Sequence, residues 1–334
     1  MALLENRITL SLEDLEGQLG ATKLPIFVKK AEDAFLDRTQ EIATYIMSQP
    51  QVKAIFVSGP TSSGKTTFTD RLAARLSESG KKALRISLDD YYNISELRYD
   101  MEGRPDYESL TTIDTQLASA NIQILMSGES VKVPVFDFQK RERNAMLSSP
   151  RVQLEKDGFL LVEGLHGLSP EISGPIPREL WVGIFIMPWG EVVSDRRLIE
   201  SQQVRLLRRI IRDVRHRGAH ALATIDYWPM ILSSEQMYFS EYLTRADFYV
   251  NSLLTYESMV IAPLARKDIK SALERYASDS LESSVFMKKS NPLKAYANLD
   301  AALVIARRLV HDLERIPSID PMIVPSLSIL NEFL

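Results

Sequence analysis

The run Ala54-Ile55-Phe56-Val57-Ser58-Gly59-Pro60-Thr61-Ser62-Ser63-Gly64-Lys65-Thr66-Thr67 decides the fold. It opens on apolar residues suited to a short buried strand. It then passes through G-x-x-x-x-G-K-[ST], spelled in full by Gly59 to Thr66. From Lys65 to Ser79 it predicts a helix, because Phe68, Leu72 and Leu76 fall at i, i+4 and i+8 and Gly80 is a suitable stop. Glycines let such a loop curl so that successive N–H groups face an anion, and the helix that follows adds its positive end. Here Gly59, Pro60, Thr61, Ser62, Ser63, Gly64, Lys65, Thr66 and Thr67 would hold the phosphates of a nucleotide. Lys65 would reach the β- and γ-phosphates, and the Thr66 hydroxyl would ligate Mg²⁺. A Gly/Ser-rich loop with a chance lysine is the bland alternative, and it leaves the agreement of strand, loop and helix unexplained. Nucleotide binding alone does not separate kinases from ATPases, GTPases or motor domains.

Outward from this loop, strand and helix signals alternate. Ala83 to Leu88, Phe159 to Val162, Trp181 to Met187 and Phe248 to Val250 give four further strands. The alternation predicts an α/β fold with a mostly parallel five-stranded sheet flanked by helices. Ligands of such sheets bind beyond the C-terminal strand ends, so chemistry is expected just after Val57, Leu88 and Val162.

Acids stand at two of those ends. In Ser87-Leu88-Asp89-Asp90-Tyr91-Tyr92, a carboxylate would face the terminal phosphate of a bound nucleotide. It could take the proton of an attacking hydroxyl or hold the metal through water. Asp89 is assigned as the base, with Asp90 turned outward or capping. A turn that uses Asp for backbone hydrogen bonds is the competing explanation. In Leu160-Leu161-Val162-Glu163-Gly164 a single acid follows an apolar run, and Glu163 would help hold Mg²⁺ through its water shell. An edge carboxylate paired with a lysine would look the same. His166 is given no role.

The chain has 334 residues, 25% charged and 45% hydrophobic, with a net charge of -4 and no cysteine. That composition fits a globular protein with a sizeable core, and excludes disulfides, thiolate metal sites and a cysteine nucleophile. No global basic field draws the chain to nucleic acid. Eight arginines nevertheless fall between Arg196 and Arg217, against only Glu200 and Asp213. Arg205, Arg209 and Arg212 share a helix face, and like charges there repel unless an anion sits among them. A lid closing on nucleotide phosphates would supply that anion and exclude water. A solvated helix paired with acids elsewhere, and a nucleic-acid surface, are the other two readings. The first residues do not read as a signal peptide, and no window approaches the ~20 apolar residues of a membrane span, so a cytoplasmic location is expected.

Together the phosphate loop, SLDDYY, PVFDF, LLVEGLHG, RLLRRIIRDVRHRG and ADFYVN resemble, in order and spacing, the uridine kinase/phosphoribulokinase family over about residues 51–262. The tail IVPSLSILNEFL resembles the end of bacterial uridine kinase-like nucleoside kinases. The resemblance implies a P-loop NTPase fold with an arginine-rich helical lid, and transfer of the γ-phosphate of ATP, with Mg²⁺, to a hydroxyl of a nucleoside or sugar-like small molecule. No nucleic acid and no membrane are implied as partners, and a homo-oligomer is left open. By the same resemblance Asp89 is the catalytic base and Glu163 is metal-associated. Tyr92, Asp106 and Phe136 contact the acceptor. Arg209 faces the substrate, while Arg212 and Arg217 lie near the phosphates.

The pattern of the pyrimidine nucleoside kinases is broken at three places. Phe136-Asp137-Phe138 replaces Tyr-Asp-Phe, Arg141 stands where a histidine is usual, and Ala219 replaces a lid arginine. Arg141 suits a phosphate or carboxylate better than a neutral uracil edge. A phosphorylated or acidic sugar-like acceptor is therefore the alternative to a uridine-like nucleoside. A regulatory or RNA-associated NTPase is the reading of a different class. The expected division is an N-terminal helical extension over 1–50, a kinase core over 51–270, and a C-terminal helical extension over 271–334. Within the core, the acceptor site lies at about 90–150 and the lid at about 190–222.

Overall fold

The computed structural model describes residues 6–78, 80–93, 97–137, 142–143, 151–287 and 294–334. Arg141 lies outside the described residues. In chain order the main elements are β1 (Ile8–Ser11), α1 (Lys23–Met47), β2 (Ala54–Ser58), α2 (Lys65–Ser77) and β3 (Ala83–Ser87). Then come α3 (Thr115–Met126), β4 (Phe159–Glu163), β5 (Trp181–Met187), β6 (Gly190–Val193), β7 (Arg197–Glu200) and α4 (Ser201–His216). The chain ends with α5 (Ala221–Arg245), β8 (Phe248–Asn251), α6 (Glu257–Ala277), α7 (Leu299–Leu313) and a short 3₁₀ turn, Ile329–Glu332.

Five strands form one parallel sheet in the order β8-β5-β2-β4-β3. The central strands β2 and β4 are buried along their whole length, as expected of strands covered on both faces. Their side chains divide by the two-residue period. Ile55, Val57 and Leu161 join the core under α1, α2, α4 and α6. Ala54, Phe56, Leu160 and Val162 join a second core under α3.

Two segments outside the five-stranded sheet pack onto the elements that surround it. On α1, Val28, Phe35, Ile42 and Ile46 are buried in the same core as α2, because the helix repeats an apolar residue about every turn toward the sheet. Strand β1 adds in parallel to β6, which pairs antiparallel with β7, so the N-terminal segment completes a small sheet beside the arginine helix. At the other end α7 packs on α5 and α6, and the last residues return to the phosphate loop.

Candidate functional site

Strand register sets the geometry. Glu163 lies opposite both Val57 and Ser87, so three neighbouring strands end level with one another. The loop Gly59–Gly64 leaves the first of these ends, and the turn Leu88–Tyr91 leaves the second. The glycines of the loop have a steric cause. A Cβ on Gly59 would overlap the carbonyl oxygen of Ile186, and Gly64 has φ of +88°. Ser62 also takes a positive φ, 58°. The Ser62 and Ser63 hydroxyls are buried and have no hydrogen-bond partner among the described residues. A cradle of unsatisfied donors at a helix N-terminus fits an anionic group. Lys65 Nζ donates to the loop's own Pro60 carbonyl at 2.9 Å.

Asp89 follows the level strand ends by two residues, where Lys65, Arg217, Glu108 and Asp90 all act on it. Enclosure pushes its carboxyl above the ordinary range, and Lys65 and Arg217 pull it back. Asp90 points away, accepting the Phe136 N–H at 3.2 Å. Glu163 is almost fully buried and accepts from Ser87 Oγ at 2.9 Å. Burial, then the neighbouring Asp89 charge, pushes Glu163 up to about 7. Two close carboxylates beside one lysine make a site that a cation would relieve. No cluster of three or more His, Cys, Asp or Glu ligands occurs among the described residues. Glu163, buried at the end of β4, is a carboxylate that an ion keeping its own waters and phosphate oxygens would fit.

Tyr92, Phe136 and Asp106 are the residues expected on the acceptor side. The Tyr92 ring packs on Phe136 at 5.4 Å between centroids, and its hydroxyl lies in the field of Asp89, Glu108, Arg217 and Tyr227. Asp106 is buried and accepts the Glu108 N–H at 3.1 Å. Sequence reasoning missed two members of this group. Glu108 accepts from Arg209 at 3.3 Å, and its carbonyl accepts from His166 Nε2 at 2.9 Å. His166, given no role above, is fully buried. Its Nε2 donates to that carbonyl, so its Nδ1 accepts from the Tyr242 hydroxyl at 2.6 Å. A weak signal for Glu108 existed in its position two residues after Asp106. The role of His166 depends on Tyr242, far along the chain, and had no local signal.

The arginines divide into two groups. Arg205 and Arg208 do not face an open anion site. Arg205 bonds Glu235 at 2.5 and 2.6 Å, and Arg208 bonds Glu257 at 2.9 and 2.7 Å, all four side chains being buried. Their remaining donors hold the phosphate loop from behind: Arg205 Nε to Thr61 O at 3.0 Å and Arg208 to Ser62 O at 3.3 Å. This differs from the solvated helix as well as from the open lid, because burial forces each guanidinium to find a carboxylate. The second group gathers on buried Asp213, with Arg209 at 3.2 Å, Arg212 at 3.2 Å and Arg217 at 3.8 Å. Arg209 also donates to the Thr61 hydroxyl at 2.8 Å, which brings it to the mouth of the loop. Arg212 is pushed down to about 10 by enclosure and then by Arg217, and remains charged at neutral pH.

This parallel sheet, its phosphate loop and the helix that follows define a P-loop nucleotide-binding fold. A model of the Phosphoribulokinase / Uridine kinase family matches residues 54–257, and the chain belongs to that family. It is accordingly a P-loop kinase, a phosphotransferase with a hydroxyl acceptor. The chain is 30% identical over 177 residues to a uridine kinase of Halobacterium salinarum, covering 52% of this chain and 68% of the relative. It is 32% identical over 171 residues to uridine-cytidine kinase C of Dictyostelium discoideum, covering 51% of this chain and 32% of that protein. Among solved structures, a possible uridine kinase from Bacillus stearothermophilus aligns with a TM-score of 0.44 at 16% identity, over 64% of this chain and 97% of its own. No helix among the described residues is long and apolar enough to cross a membrane.

Proposed function

We propose that the chain transfers the γ-phosphate of ATP to a hydroxyl of a nucleoside-like acceptor. The observation that carries this reading is Asp89, held beside Lys65 and Arg217 at strand ends level with the phosphate loop. A carboxylate there takes the acceptor hydroxyl's proton as the oxygen attacks, and its raised pKa makes it a stronger base than a free aspartate. Lys65, Arg212 and Arg217 oppose the charge on the transferring phosphoryl group. Thr66 and Glu163 would hold Mg²⁺, which supplies charge neutralisation of the phosphates when bound. Tyr92 and Phe136 offer aromatic faces, and Asp106 and Glu108 offer acceptors for hydroxyls.

The test is ADP release from Mg-ATP in the presence of a panel of nucleosides, sugars and sugar phosphates. A nucleoside is expected to raise release well above the basal ATPase. If only acidic or phosphorylated sugars do so, the acceptor is of the second class. If nothing does, the chain is not a small-molecule kinase.

A further inference from the structure

The last six residues reach the mouth of the phosphate loop. Ile329, Leu330 and Phe333 are fully buried, with Phe333 lying 5.0 Å from the Arg208 guanidinium. Ile329 packs against Gly64 so closely that a Cβ there would overlap it. Ser328 opens this turn by accepting the Leu330 N–H at 3.2 Å, and is itself within 3.3 Å of the Tyr256 hydroxyl. The anchored turn aims one polar side chain at the loop. Glu332 Oε2 accepts from the Thr67 N–H at 3.3 Å and from the Thr67 hydroxyl at 3.2 Å. Arg212 lies within its electrostatic reach.

Thr67 N–H is one of the first-turn donors of α2 that have no partner inside the helix. A phosphate held by the loop would use those same donors. One N–H cannot serve a carboxylate and a phosphate together, and the two anions would repel at that distance. We infer that Glu332 is a built-in competitor for the nucleotide's phosphate position at Thr67, so that nucleotide binds only as the C-terminal turn gives way. The inference rests on the nucleotide reading of the loop and adds a control to it. When the competent state is only a fraction of the population, the apparent dissociation constant rises by the inverse of that fraction. Removing the Glu332 charge therefore tightens binding.

The experiment compares the protein with its Glu332→Gln variant, which keeps the side-chain shape. Calorimetry measures ADP, tripolyphosphate and adenosine binding to each. The variant is expected to bind ADP and tripolyphosphate roughly fivefold or more tightly, with adenosine unchanged. In the wild-type protein, hydrogen exchange of amides 329–334 is expected to speed up when ADP is added, a readout independent of the variant's folding. Unchanged or weaker phosphate binding in a folded variant, or slower exchange with ADP, would overturn the inference and leave the proposed function standing. Failure of both proteins to bind any nucleotide would remove the two together.

Discussion

Arg205 and Glu235 form a buried ion pair that closes on the backbone of a single residue of the phosphate loop, Thr61. Glu235 Oε1 accepts the Thr61 N–H at 3.1 Å, while Arg205 Nε donates to the Thr61 carbonyl at 3.0 Å. The loop's shape is thus set by two helices as well as by its glycines. Arg205→Met would leave a buried carboxylate with one backbone partner, and is expected to cost about 3–5 kcal/mol. Arg205→Met combined with Glu235→Leu should recover part of that loss, since no charge then remains buried. Urea denaturation of the two single variants and the double variant checks both statements through the coupling energy.

Asp89→Asn keeps the shape of the side chain and removes its basicity. Turnover with the best acceptor is expected to fall by roughly 10²–10⁴, the usual span for a general base. ATP should still bind, because the phosphate loop is untouched. Turnover near the wild-type value would take the base role away from Asp89.

His166 gives the protein a predicted pH dependence of stability. Burial lowers it from 6.5 to about 4, so it is neutral in the folded protein while an unfolded chain protonates it. Between those values the unfolded state binds more protons, and stability falls as pH drops through the window. The loss attributable to His166 is about 3 kcal/mol when the window is complete. Denaturation midpoints from pH 7 down to pH 4 should fall more steeply for the wild-type protein than for His166→Gln. Parallel slopes would show that His166 takes up its proton in the folded protein over the same range as in the unfolded chain.

Gly59→Ala tests the packing of the loop against the neighbouring strand. The added methyl meets the backbone carbonyl of Ile186, which cannot swing aside as a flexible side chain could. Destabilisation of about 1–3 kcal/mol is expected from such overpacking, together with weaker nucleotide binding. A thermal melt and an ATP titration measure the two effects separately. Gly17, with nothing within 4 Å of its would-be Cβ, is the control position.

What the sequence determined by itself was everything written in local pattern. The run from Ala54 to Leu76 carried strand, loop and helix in one stretch, and the apolar runs located all five strands of the sheet. The level strand ends that bring Glu163 beside Ser87 follow from those runs pairing in parallel. The tertiary structure alone decided which charges meet. Arg205, Arg208 and Arg209 look alike along one helix, yet burial joined the first two to Glu235 and Glu257 and brought the third to Thr61. The partners of Glu332 and His166 were equally unreadable, because they lie 265 and 76 residues away in the chain. Periodicity is a property of neighbours in sequence, whereas ion pairing and desolvation are properties of neighbours in space.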